Sequence, residues 1–209
     1  MNIQEFRTEL SNKYPQERYI RELRELADNN IGVESSIEAY DFDLIKNDMC
    51  KKQSLRSADA MLVANKCVYL IEFKTGFSGE SFGFDCNDMD RNKKEILKLS
   101  IRLKACESLI MLEKVLCKDG YADFRKGYIS VIDCYEDPKG SRSDIFCLKS
   151  ASDESYSDKS ELYKSLTETS LLIYRKSTNG KQIMYDSVEV LYDSEFDGYI
   201  DRIMNNCQM

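Results

Sequence analysis

Two acidic residues and a lysine stand where two apolar runs of the chain begin and end. Asp59 lies near the start of the first run, and Glu72 and Lys74 close the second. Carboxylates that face each other across paired strands lie about 5 Å apart and repel. A divalent cation between them would remove that penalty, and a nearby lysine could act on water or phosphate. The trio therefore predicts metal-assisted hydrolysis of a phosphodiester.

A β-hairpin would bring these side chains together. The runs 58–64 and 67–74 are separated only by Asn65-Lys66, the length of a tight two-residue loop. Pairing of Ala64 with Cys67 places residue 59 directly opposite residue 72. Because side chains alternate along a strand, residue 74 projects to the same face as residue 72. The hairpin register thus predicts one cluster of two carboxylates and one ammonium.

The pattern Asp59…Glu72-Phe73-Lys74 resembles the PD-(D/E)XK nuclease superfamily, whose members have the restriction-endonuclease-like fold. The residues before the first acid are Ser57-Ala58, so the proline of the nominal motif is absent. The resemblance implies that Asp59 and Glu72 bind Mg²⁺ or Mn²⁺, aided by the backbone carbonyl of Phe73. It also implies that Lys74 orients or helps to deprotonate the attacking water and stabilises charge on the pentacovalent phosphate. The expected substrate is DNA, with RNA not excluded.

The family often adds an acid from its first helix. Residues 15–28 carry apolar residues at helical spacing, and Glu22 lies at the edge of that apolar face, so it is the candidate for an additional metal ligand. Glu17 and Glu38 compete for the same role.

Other interpretations of the acidic pair remain open. Lys74 could form an ordinary ion pair with Glu72 or Asp59 at a strand end, worth under about 1 kcal/mol. A chain of net charge −7 could also be a catalytically silent scaffold with the same fold, such as a phage or host-defence accessory protein. The third alternative is an α/β interaction domain whose match to the motif is accidental.

Composition restricts the chemistry that this chain can perform. Its 209 residues contain no histidine, which excludes Ser-His-Asp and Cys-His catalysis and histidine as a general base. There is no G-x-x-x-x-G-K-[ST] phosphate loop and no G-x-G-x-x-G fingerprint. Catalysis would have to use carboxylates, lysines, tyrosines or metal-activated water.

The eight cysteines and the hydropathy pattern together indicate the cellular compartment of the protein. No two cysteines form a C-x-x-C pair, so a structural zinc site of the usual spacing is not expected. No apolar run approaches the 18 or more residues of a membrane helix, and no secretory signal is visible. We therefore expect a cytoplasmic protein without a membrane partner.

Hydrophobic periodicity predicts the fold class. Apolar segments at 33–46, 58–74 and 127–135 read as strands, and the last is expected to return parallel to 67–74 after a helix. We expect an α/β fold with a mixed central sheet flanked by helices, a restriction-endonuclease-like core at residues 1–149. Residues 150–209 form a C-terminal extension packed on the same domain, for sheet extension, dimerisation or substrate contact. A homodimer or a protein partner is left open.

The segment 91–118 is the clearest helix in the sequence. Its predicted core-facing stripe consists of Ile96, Leu99, Leu103, Cys106 and Ile110. A second face carries four basic side chains, Arg91, Lys94, Lys98 and Arg102. A basic stripe near the acidic pair would attract nucleic-acid phosphates. The alternative is a merely solvated helix face.

Overall fold

The computed structural model describes residues 1–27, 31–50, 55–64, 66–75, 77, 88–117, 122–133, 159–167 and 185–205. In chain order the elements are α1 (Ile3–Lys13), α2 (Gln16–Tyr19), β1 (Ile20–Glu22), α3 (Leu23–Leu26), β2 (Glu38–Asp41), α4 (Phe42–Met49), β3 (Ala60–Ala64), β4 (Cys67–Lys74), α5 (Asp88–Ile110) with a π-helical continuation (Met111–Leu116), β5 (Arg125–Ile132), α6 (159–167), β6 (Ser187–Tyr192) and α7 (Asp193–Asn205).

A six-stranded sheet in the order β1-β2-β3-β4-β5-β6 forms the centre of the fold. The first four strands pair antiparallel, and β4, β5 and β6 pair parallel. The parallel return of β5 after α5 follows the sequence prediction. Helices pack on both faces, so the expected mixed α/β class is confirmed. The strand β6 extends the sheet at one edge, which gives part of the C-terminal section a structural role.

The sheet separates two apolar cores. On one face, even-numbered residues of β4 such as Leu70 pack with residues of α1, α4 and α5, among them Phe6, Ile45 and Ile101. On the other face, odd-numbered residues of β4 such as Ile71 pack against α7. Because β4 is buried on both faces, its sequence is a nearly continuous apolar run. Glu72 is therefore an exception that needs a local explanation.

The predicted helix at 15–28 is wrong, because tertiary pairing interrupts it. Only Gln16–Tyr19 and Leu23–Leu26 are helical, and Ile20–Glu22 between them pairs antiparallel with β2 as an edge strand. The gain from sheet pairing outweighs a weak helical preference. The predicted strand 33–46 also ends early. Asp41 accepts a hydrogen bond from the backbone N–H of Leu44 at 2.8 Å and thereby caps α4.

The predicted core-facing stripe of α5 is also wrong. Ile96, Leu99, Leu103 and Ile110 are exposed, by 66%, 51%, 38% and 52%, and Cys106 is only partly buried. The buried side consists instead of Ile101, Ala105, Ser108 and Leu109. The helix has apolar residues on two opposite sides, and periodicity alone could not show which side meets the sheet.

Two isoleucines of α5 give a matched test of this orientation. Ile101→Ala is expected to lower the free energy of unfolding by about 2–5 kcal/mol, because it leaves a cavity in the core. Ile96→Ala removes the same atoms from an exposed site and is expected to change it by less than about 0.5 kcal/mol. Urea unfolding of both variants measures the difference. Equal losses would contradict the observed orientation.

Buried thiols predict a loss of stability in alkaline solution. Burial raises the pKa of Cys67 and of Cys117 from 9.0 to about 11. The folded state holds these protons more tightly than the unfolded state does. The contribution of the two thiols to the free energy of unfolding is therefore complete below pH 9 and is lost as pH rises from 9 to 11. Urea midpoints across this range should fall, and they should fall less in a Cys67→Ala/Cys117→Ala variant.

Hydropathy of the described helices bears on membranes in one respect. In the part of the chain described here, no helix combines the length and the apolar character needed to cross a bilayer.

Candidate active site

The hairpin of β3 and β4 has the register predicted from the sequence. Ala64 pairs with Cys67 and Ala60 with Ile71, and the N–H of Asp59 donates to the carbonyl of Ile71 at 3.0 Å. Asp59 stands just before β3, and the recorded strand pairing ends beside it, at Ala60 and Ile71. Its side chain and that of Glu72 lie on the same face of the sheet, the face covered by α5.

A lysine of α5 joins the two carboxylates. The ammonium Nζ of Lys104 lies 3.0 Å from Oδ1 of Asp59 and 2.8 Å from Oε2 of Glu72. The contact with Asp59 is a hydrogen bond, whereas the contact with Glu72 is an ion pair whose geometry falls short of one. Two acids thus converge on one cationic point, which is the central feature of the site.

Glu72 is the most deeply buried member, with a side-chain exposure of 1%. Burial first, and then the charge of Asp59, raise the pKa of Glu72 well above its usual value, and Lys104 and Lys74 only partly offset them. Its Oε1 has no hydrogen-bond partner among the described residues. The hydroxyl of Ser130, its neighbour on β5, is likewise buried without such a partner there. A buried acid that retains a free oxygen next to a cation position suits a ligand role.

Asp59 is held in place from two sides. Its Oδ2 accepts a hydrogen bond from the N–H of Phe73 at 2.7 Å, while Oδ1 contacts Lys104. Burial raises the pKa of Asp59. The charge of Lys104 and the N–H of Phe73 lower that pKa, and the charge of Asp43 raises it. Asp43 also accepts a hydrogen bond from Ser57, two residues before Asp59. The first turn of α4 therefore fixes the segment that leads into the site.

Lys104 is electrostatically tied to this pair. Burial pulls the pKa of Lys104 down, but Glu72 and Asp59 outweigh burial and raise it above its usual range. The side chains of Lys104 and of Asp59 are each 20% exposed to solvent. The site is thus closed at Glu72 and open to solvent at the other two residues.

Lys74 ends β4 on the same face as Glu72. It is partly buried, and its charge lowers the pKa of Glu72, although less than Lys104 does. The structure therefore brings Asp59, Glu72 and Lys74 to one place, as the hairpin predicted. The role of Lys74 in any reaction is a separate question.

The backbone of Phe73 also points to the site. Backbone groups of alternate residues along a strand point to the same side, and the carbonyl of Ile71 points to the β3 side, where it accepts from Asp59. The N–H of Phe73 points to that side as well. Its carbonyl therefore faces the region where β3 has not yet begun, as a ligand of an ion beside Asp59 would.

The additional metal ligand predicted at Glu22 is not near this pair. Glu22 pairs with Glu38, and the registers of β2, β3 and β4 place both of them level with Val68. That level is four residues before Glu72, about 13 Å along the strands, and β1 lies three strand spacings away, about 14 Å. Glu22 forms an ion pair with Arg24 instead. The competitor Glu17 is exposed in α2.

The predicted basic stripe does not form one free surface. Lys98 is 6% exposed, and its ammonium forms ion pairs with Glu95 and with Glu161 of α6. Arg102 is partly buried, and its Nε has no hydrogen-bond partner among the described residues. The side chains of Arg91 and Lys94 lie outside the described residues. Lys98 is a link between two helices rather than an open phosphate contact.

The donor set available to a metal is small. Within the described ranges, no group of three or more cysteine, aspartate and glutamate side chains could together hold an ion. Asp59, Glu72 and the carbonyl of Phe73 nevertheless offer oxygen ligands, which Mg²⁺ and Mn²⁺ prefer. Mg²⁺ usually keeps several waters and takes only one or two protein carboxylates. The free Oε1 of Glu72 fits that mode of binding.

Sequence reasoning missed Lys104. The predicted apolar stripe placed the opposite side of the helix against the sheet, so Lys104 was not among the candidate site residues. It lies between Ile101 and Ala105 on the side that is buried in fact. The available signal was a lone charge between apolar residues of that second stripe.

Comparison of this chain with protein-family models, with curated proteins and with solved structures finds no match.

Proposed function

We propose that this protein is a metal-dependent nuclease that hydrolyses phosphodiester bonds, with DNA as the substrate. The observation that carries the proposal is the convergence of Asp59 and Glu72 on one cationic point, with Lys74 on the same strand face. The strand order around it, a hairpin followed by a helix and a parallel strand, agrees with the restriction-endonuclease-like fold that the motif resembles.

Each residue has a distinct part in this proposal. Asp59, Glu72 and the carbonyl of Phe73 would hold Mg²⁺ or Mn²⁺. When bound, such an ion withdraws charge from a phosphoryl oxygen and makes water easier to deprotonate. Lys74 orients the attacking water and places its ammonium beside the negative charge that grows on the phosphate. The Phe73 N–H acts indirectly, because it holds the carboxylate of Asp59. Asp43 holds Ser57, in the segment that leads to Asp59.

The substrate must be attracted by local positive charge, because the net charge of −7 repels nucleic acids overall. Lys74 and Lys104 supply part of that charge at the site. The scattered cysteines, four of which are free in the described part of the chain, suit the reducing cytoplasm that the proposal assumes.

One observation favours a second candidate, a silent scaffold that binds without cleaving. Lys104 already forms ion pairs with both carboxylates, so part of their repulsion is relieved without a metal. Such a protein would keep the architecture and act through a protein or nucleic-acid partner.

The decisive experiment is a cleavage assay on purified protein. Supercoiled DNA, single-stranded DNA and RNA are incubated with Mg²⁺ or Mn²⁺, and we expect cleavage of DNA that EDTA abolishes. Heat-denatured protein from the same preparation controls for contaminating nucleases. Cleavage of RNA alone would change the substrate, and no cleavage of any of the three would favour the scaffold.

A further inference from the structure

The Lys104 ammonium lies at the point where an ion shared by the two acids would bind. It is 2.8 Å from Oε2 of Glu72 and 3.0 Å from Oδ1 of Asp59, and it reaches this point from a different element, α5. Lys74, the lysine of the sequence motif, stands instead on the same strand as Glu72. The site therefore contains two lysines that approach the acidic pair from different directions.

We infer that Lys104 is an internal competitor for the metal position: it pairs with Asp59 and Glu72 when the ion is absent and leaves them when Mn²⁺ or Mg²⁺ binds. This inference rests on the proposed function, because it assigns a state to the same site. Metal binding at this site is then an exchange of one cation for another.

Geometry makes the two cations compete, because both would contact the same two oxygens. Magnesium binds oxygen at about 2.0–2.1 Å. The Lys104 ammonium lies 3.0 and 2.8 Å from the two carboxylate oxygens that the ion would bind. Adding the distance from the ion to the same oxygen, about 2.1 Å, places the ion at most about 5 Å from the ammonium. The single charge of the ammonium and the double charge of the ion repel each other at that distance. Water screens this repulsion weakly on the side of Glu72, whose side chain is only 1% exposed.

Lys104 also has a route out of the site. Its side chain retains 20% exposure, so its ammonium can move towards water on its flexible four-carbon stem without unfolding the helix. Glu72, at 1% exposure, has no such route and stays with the ion. The exchange therefore moves a lysine and leaves both carboxylates in place.

Titration calorimetry with Mn²⁺ on the full chain tests the competition. Lys104→Met removes the ammonium and keeps the stem length, and it is expected to bind Mn²⁺ roughly tenfold or more tightly than wild type. The matched control is Lys126→Met, whose lysine is also largely buried in an ion pair, with Glu113, but lies level with Val68 at the far end of β4. This control should bind Mn²⁺ as wild type does.

The outcomes separate the inference from the proposed function. Unchanged or weaker Mn²⁺ binding by Lys104→Met, with wild-type protein that binds Mn²⁺ and cleaves DNA, overturns the inference alone. Binding by the variant but not by wild type supports the inference and overturns the nuclease proposal. Absence of binding in both proteins overturns both.

A measurement on wild-type protein does not depend on how Lys104→Met folds. Lysines are reductively methylated with formaldehyde in EDTA and in saturating Mn²⁺, and the modified fraction is read for each peptide by mass spectrometry. Displacement predicts a severalfold rise at Lys104 on adding Mn²⁺, while Lys126 stays constant. Equal modification of Lys104 in both conditions overturns the inference.

Discussion

Glu72→Gln is expected to abolish metal-dependent cleavage while leaving the protein folded. The substitution keeps the shape of the side chain but removes the charge that an ion needs at the closed end of the site. Loss of Lewis-acid assistance is worth several kcal/mol, or roughly a thousandfold in rate. Mn²⁺ binding measured by calorimetry should weaken in parallel with the cleavage rate, because both depend on the same carboxylate.

Glu189→Gln is the matched control for this variant. Glu189 is also a strand glutamate whose pKa burial raises, but it lies on β6, is only partly buried and pairs with Ile129 on the opposite face of the sheet. Its substitution changes the net charge equally and should leave Mn²⁺ binding and cleavage unaltered. Full cleavage by Glu72→Gln would remove this glutamate from the mechanism.

Lys74→Ala is expected to separate chemistry from metal binding. Its ammonium acts on water and on the charge that develops at the phosphate, so its removal should slow cleavage by roughly 10²–10³-fold. The carboxylates remain, and Mn²⁺ affinity should not fall. Single-turnover cleavage and calorimetry on the same preparation measure the two quantities.

The control for Lys74→Ala is Lys66→Ala, an exposed lysine at the other end of the same hairpin. It removes the same charge and should cleave at the wild-type rate. If Lys74→Ala also cleaves at the wild-type rate, the water-orienting role assigned to Lys74 is wrong. If Lys74→Ala loses Mn²⁺ binding, the lysine supports the carboxylates rather than the reaction.

The acidic pair could be derived from the sequence because it depends on local geometry. Two strands joined by two residues have few registers, and the two-residue period of side chains then fixes which residues share a face. Asp59 and Glu72 accordingly lie close enough to contact the same ammonium, that of Lys104. The apolar run of β4 likewise indicated a strand buried on both faces.

The rest of the site required contacts between distant segments. The sequence of α5 is apolar on two sides, and only packing against the sheet decided that Ile101 is buried, that Ile96 is exposed and that Lys104 reaches the acids. Glu22 was excluded by the order and register of four strands, which no single segment specifies. The sequence by itself determined the pair of carboxylates, because a hairpin is a local structure. Only the tertiary structure determined that the ammonium of Lys104 contacts both of them, because this depends on which side of a distant helix faces the sheet.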